Sequence, residues 1–251
     1  LNWRYAMRTS NPALNEQIFE AVPYYGDKTM TVSGAINKTA LLLLLAVVTG
    51  SWAWYKTSLD PASAAPWIMV GAIGGFIVAL VTIFKKDWSA MTAPLYAILE
   101  GLALGAISAI FEAKYKGIVF MAVFLTFGVL ACMLIAYRSG IIRPTQRFIA
   151  GVASATGAIA FYYIISLVLG AFGVSAPLIH SSTPMGILFS VVVVVIASLN
   201  LVLDFHMIEQ GAGQGAPKYM EWYCAFGLMV TLVWLYLEIL RLLAKLQGRN
   251  R

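Results

Sequence analysis

Long apolar runs separated by short polar stretches set the pattern of this chain from about residue 37 onward. Seven runs stand out, at Asn37–Tyr55, Pro66–Phe84, Met91–Phe111, Gly117–Tyr137, Phe148–Phe172, Met185–Leu203 and Tyr219–Leu243. A helix needs about 20 mostly apolar residues to cross the hydrocarbon core of a bilayer, and each run approaches or exceeds that length. Within lipid, only helices and closed barrels satisfy every backbone group, and runs this long predict helices. The sixth run is rich in β-branched residues at Val191–Ile196 but is too long for a soluble strand. Trp52, Trp54, Trp67, Trp88 and Trp222 fall near run ends, where amphipathic rings anchor at the interface. The expected fold is an all-α membrane protein. A seven-helix transmembrane domain at 37–244 stands between a polar N-terminal tail at 1–36 and a short basic tail at 245–251. The tail lacks an apolar signal-peptide core, so the first span is expected to be retained as an anchor. Within it, Asn15–Phe19 reads as a short amphipathic helix.

Composition removes whole classes of function. Hydrophobic residues make up 61% and charged residues 11%, with a mean hydropathy of +0.82. Soluble domains carry about 25% charged residues, so this is neither a soluble globule, a disordered chain nor a nucleic-acid-binding module. The net charge of +6 comes from basic residues between the apolar runs, where they set orientation. Ten lie on the side of the N-terminus: Arg4, Arg8, Lys28, Lys38, Lys85, Lys86, Arg138, Arg143, Arg147 and Lys218. Lys56, Lys114 and Lys116 lie opposite. The bias favours a cytoplasmic N-terminus. Arg241, Lys245, Arg249 and Arg251 run against it, since seven full crossings put them outside. Cys132 and Cys224 lie within apolar runs and read as small buried hydrophobes, not as a disulfide or a zinc site.

Ionisable residues inside spans are costly, about 2.5–3.5 kcal/mol each on insertion scales, and are the first functional candidates. Glu100 sits mid-span in Pro94-Leu-Tyr-Ala-Ile-Leu-Glu-Gly101 with no basic residue nearby in its own span. It must be protonated, hydrated or paired across helices, or serve as hydrogen-bond glue between helices. Asp204 closes the sixth span beside His206 and Glu209, either as a functional carboxylate or as a solvated helix end. His206 is a modulator of Asp204 or a plain surface histidine. Glu238 and Arg241 are three apart on the seventh span and can pair on one helix face. Small residues at Gly101…Gly105 and Gly151…Ala155 have the spacing of close helix contacts. No internal repeat is evident, which weakens a transporter reading. There is no Gly-x-Ser-x-Gly elbow, no His-Glu-x-x-His and no P-loop lysine, so no enzyme is expected and no cofactor is called for.

The segment Leu201-Val-Leu-Asp-Phe-His-Met-Ile, the closing Leu235-Tyr-Leu-Glu-Ile-Leu-Arg-Leu-Leu243 and the seven spans resemble the Bax inhibitor-1 family, the transmembrane Bax inhibitor motif group. Met7-Arg-Thr-Ser-Asn-Pro-Ala-Leu14 and Tyr96–Ser108 are similar to its bacterial YccA-like branch, with Leu1–Ala6 standing upstream of that start. The resemblance implies a bundle with the last helix central and six around it. It also implies a pH-sensitive calcium leak in which two aspartates on the last two helices link protonation to opening. Asp204 matches the first of these. Aligning Leu-Tyr-Leu-Glu puts the second at Glu238, whereas anchoring on Arg241 puts it at Thr231. The site implied is therefore Asp204 with Glu238, and with Glu100 as a further sensing group; Arg241, His206 and Thr231 are its modulators. Calcium would be bound transiently by Asp204 and Glu238.

The leading expectation is a passive, pH-gated cation leak in a bacterial inner membrane. The alternative is a non-conducting regulator or partner of a membrane-bound quality-control protease, with the N-terminal tail as its contact element. A proton-coupled transporter stands third.

Overall fold

The computed structural model describes residues 29–172 and 183–249. The expected helix at Asn15–Phe19 lies outside the described residues. Seven long helices follow in order: α1 Val32–Leu59, α2 Ala64–Phe84, α3 Ser89–Lys114, α4 Ile118–Arg138, α5 Gln146–Ala171, α6 Pro184–Gly213 and α7 Met220–Arg249. Single 3₁₀ turns at Pro61–Ser63 and Lys86–Trp88 lead into α2 and α3. All seven are long and apolar enough to cross a membrane. Among the described residues there is no β-strand, only an isolated bridge between Thr29 and Pro217.

Local chemistry starts and stops these helices. Thr31, Thr145 and Thr183 accept hydrogen bonds from Gly34 N, Phe148 N and Gly186 N and so cap α1, α5 and α6. Pro184 opens α6, where its missing N–H costs nothing. Gly117 takes φ 83° at the α3–α4 turn, a left-handed conformation that needs glycine. Glu112 closes that turn by accepting from Gly117 N at 2.5 Å and Val119 N at 3.2 Å.

Packing is arranged around α7, which lies against α6, α1, α4 and α3. The core holds Leu42, Tyr96, Ile118, Leu201, Phe205, Tyr223, Phe226 and Met229, all buried. Tyr96 and Phe226 meet edge to face at 4.9 Å. The last helix is central, as expected, but its ring is uneven. α2 is attached chiefly through α3, and α5 through α6. Outward-facing Leu44, Val48, Phe76, Phe120, Phe124, Phe161 and Leu167 are exposed. An apolar belt of this extent is stable only in lipid, so the protein is an integral membrane protein.

Small residues bring α1, α2 and α3 together. A Cβ on Gly105 would lie 2.0 Å from Gly50 O, and one on Gly71 2.5 Å from Leu99 O. Gly101…Gly105 is thus a true contact face, on α1. Gly151 is different: a Cβ there would meet nothing within 4 Å, so Gly151…Ala155 packs no helix at that position. Cys224 is buried as expected, but Cys132 is exposed on the lipid side of α4. Both ends of the membrane domain extend past the hydropathy runs. α1 begins at Val32, inside the expected tail, and α7 runs to Arg249, through residues expected as the basic tail.

Candidate functional site

Connections alternate between two ends of the bundle. The near end holds the start of α1 and the α2–α3, α4–α5 and α6–α7 turns. The far end holds the start of α6 and the end of α7. Both ends of α7 bury carboxylates, and α6 buries a third.

Asp204 is 1% exposed. It does not close a span. α6 continues to Gly213 because Phe205, Met207, Ile208 and Gly211 are buried and hold the extra turns against the core, although hydropathy falls there. The expected solvated helix end is therefore a core position about three turns from the near end. Cys224, fully buried on α7, lies within electrostatic reach of Asp204. Thr231 is two turns further along that face of α7. Counting about 1.5 Å per residue back to the α6–α7 turn puts Thr231 at nearly the depth of Asp204. Thr231 is buried, and its hydroxyl donates to Gly227 O at 3.4 Å.

Glu238 is also 1% exposed but lies deeper, roughly 13 Å further along the axis from the near end than Asp204. The structure does not bring the two together. Among the described residues, no group of three or more His, Cys, Asp and Glu converges as a resident metal would need. Glu238 Oε1 accepts from Tyr163 OH at 2.7 Å and from Arg241 Nη1 at 2.8 Å, so the pair read from the spacing is present. Arg241 Nη1 also donates to Tyr163 OH at 3.0 Å. Glu238 Oε2 is buried with no hydrogen-bond partner. Tyr163 is on α5, so this triad ties the outlying helix to the central one. Asn200 on α6, donating to Thr156 Oγ1 on α5 at 2.8 Å, makes a second tie.

Glu100 is half-buried at the α2–α3 seam, its carboxyl group beside Gly75 of α2 and in electrostatic contact with Tyr96, one turn earlier on α3. A Cβ on Gly75 would lie 3.5 Å from Oε1, an ordinary van der Waals contact, so the carboxyl group packs directly on α2. His206 turns toward α4. Its Nδ1 is 3.4 Å from Tyr137 OH, and that hydroxyl donates to Glu209 Oε2 at 2.6 Å.

Two buried charges escaped the sequence reading. Glu221, fully buried at the start of α7, accepts from Thr31 N and Thr31 Oγ1 at 2.9 Å each, from Lys218 Nζ at 2.7 Å and from Lys38 Nζ. The available signal was an acid in a first helical turn, three residues after a lysine. Lys245, 4% exposed near the end of α7, donates to Gly186 O at 2.9 Å and Ser190 Oγ at 2.8 Å on α6. Its seven-residue spacing from Glu238 was the signal there.

The chain matches the family described as Bax inhibitor 1 like over residues 11–248. No curated relative matches it. With nearly its whole length matched and seven apolar helices, the last of them central, the chain belongs to the Bax inhibitor 1 like family of membrane proteins.

Proposed function

We propose that the protein is a passive, pH-sensitive cation leak, with calcium as its cargo and Asp204 as its sensing carboxylate. The observation that carries this reading is the burial of Asp204 in the core between α6 and α7. An ionisable group in that position is expensive and marks a functional path. Ionised, Asp204 offers hard oxygen to a passing divalent cation. Protonated, it loses that charge and gains an O–H donor, and the packing of α6 on α7 then has two arrangements biased by pH. Cys224 and Thr231 line α7 on that side, while Glu221 closer to the turn is occupied by Lys38, Lys218 and Thr31. Glu238 is at another depth, so the sensor in this reading is one carboxylate rather than a proton-sharing pair, whose titrations would be coupled. The surplus of basic residues at the near end supports an N-terminus in the cytoplasm, and the resemblance to the bacterial branch supports an inner membrane. The test is calcium entry into proteoliposomes over a range of pH, for wild type and Asp204→Asn. A pH-dependent flux that the substitution alters supports the reading; folded protein with no flux at any pH rejects it.

A second reading is a non-conducting regulator of a membrane protease. It draws on the fixed exit of the N-terminal tail, where Met30 N donates to Ala216 O at 2.7 Å and Thr31 is held by Glu221. Deleting Leu1–Lys28 would then abolish partner capture and leave the helices intact. Unchanged capture would reject this reading.

A further inference from the structure

An open groove runs down the far half of the bundle. α1 packs chiefly on α3 and α7, and α4 chiefly on α7 and α6, so α1 and α4 stand on either side of α7. The space between them holds about 450 Å³. That lies within the range of roughly 300–1,000 Å³ typical of small-molecule sites. Its walls recur at helical spacing, Leu43, Val47 and Trp54 on α1 and Val119, Val123 and Phe127 on α4, so each helix gives it one face. Val47, Val123 and Phe127 are exposed, and the groove opens onto lipid. From Leu43 to Trp54 it extends roughly 16 Å along α1, about half of a 30 Å hydrocarbon core and thus the depth of one leaflet.

The buried side of the groove carries hydroxyls. Thr126 donates to Ala122 O at 2.7 Å within its own helix. Ser108 Oγ of α3 and Tyr236 OH of α7 are 2.6 Å apart. Two hydroxyls joined by one hydrogen bond keep one O–H to donate. In hydrocarbon that donor finds no acceptor, and leaving it unmet is costly. α3 has 26 residues and is roughly 39 Å long, so its last turn stands beyond the hydrocarbon core and Ser108 falls just inside the boundary. Lipid ester carbonyls lie at that level. Glu112, one turn on from Ser108, is within electrostatic reach of Tyr236, which favours a neutral carbonyl over a carboxylate.

We propose that this groove seats one acyl chain of a far-leaflet phospholipid, whose ester carbonyl accepts from the Ser108–Tyr236 pair. The apolar walls match the chain over the depth of its leaflet, and the carbonyl supplies the acceptor that bare hydrocarbon lacks. The seated chain takes the place of a direct contact between α1 and α4. The seat is independent of the leak reading.

The test is native mass spectrometry of the purified full-length protein, titrated in detergent with dioleoyl phosphatidylcholine. Val47 lines the groove, whereas Val48, equally exposed and next to it on α1, does not. Wild type should keep one phosphatidylcholine under activation that strips the rest. Val47→Trp should lower that occupancy several-fold, and Val48→Trp should leave it unchanged. Val123→Trp, which fills the seat from the α4 wall, gives the same comparison if Val47→Trp does not fold. Wild type should also prefer the ester lipid to its ether-linked analogue, which lacks the carbonyl. The double variant Ser108→Ala/Tyr236→Phe, with apolar walls and no donor, should lose that preference. Folded wild type that retains no lipid overturns the proposal, as does equal retention by the Val47 and Val48 variants. Equal retention of ester and ether lipid by wild type overturns the role of the hydroxyl pair. Palmitate held in place of phosphatidylcholine overturns the phospholipid as occupant. A dimer that Val47→Trp abolishes overturns it too, and gives the groove to a second copy.

Discussion

Glu221 and Glu238 are both buried glutamates of α7, yet they are solvated by the protein in opposite ways. Glu221 has donors from three directions: the capping residue of α1, a lysine of α1 and a lysine one turn before it on its own chain. Glu238 has two donors crowded on one oxygen and none on the other. A buried charge is stable only when its remaining lone pairs are satisfied. Glu221 meets that condition and acts as a clamp, joining the start of α1 to the start of α7. Glu238 does not, since one of its two oxygens is buried without a donor.

Four changes break or sharpen this contrast. Glu221→Ala leaves Lys38, Lys218 and two donors of Thr31 without their acceptor. Removing one partner of a buried pair costs about 3–5 kcal/mol, and since Lys218 is half in solvent the lower end applies here. Thermal unfolding of purified protein measures it, and Lys38→Met made on top should cost less than the two single changes added. Gly34→Ala comes next, because a Cβ would lie 2.0 Å from Glu221 Oε1. Overpacking of this kind costs about 1–3 kcal/mol, seen as a lower melting temperature. Tyr163→Phe removes one donor to Glu238 and one tie of α5. Hydrogen bonds between membrane helices average about 0.6 kcal/mol, so stability should barely move while α5 becomes easier to exchange or cross-link. Glu238→Gln keeps the acceptor for Arg241 and should be the mildest for stability, yet it should lower cation flux.

Much of the fold was legible because hydropathy and small-residue spacing are local signals. The seven spans, the Glu238–Arg241 pair and the Gly101…Gly105 contact each need only one segment to be read, whereas the central last helix was implied by the family resemblance. What was missed depends on partners far away in the chain. Thr31 and Lys38 meet Glu221 across more than 180 residues, so no window on α7 contains the clamp. Lys245 looked like part of a basic tail because its partners are on the first two turns of α6. Asp204 looked like a helix end because hydropathy falls beyond Leu203, whereas the helix persists through packing of Phe205, Met207 and Ile208. Cys132 and Gly151 sit in runs that are apolar all round, where the pattern does not say which side meets a neighbour. The depth that separates Asp204 from Glu238, and sets Thr231 near Asp204, emerges only once α6 and α7 are paired.

The central claim is that pH is sensed by Asp204 alone and that Glu238 serves the path at another depth. The most direct measurement is the pH profile of calcium flux in proteoliposomes for wild type, Asp204→Asn and Glu238→Gln side by side. The account predicts a single-proton transition in wild type, its loss in Asp204→Asn, and an unmoved midpoint with lower flux in Glu238→Gln. A midpoint that shifts in Glu238→Gln, or a pH dependence that survives in Asp204→Asn, would contradict it.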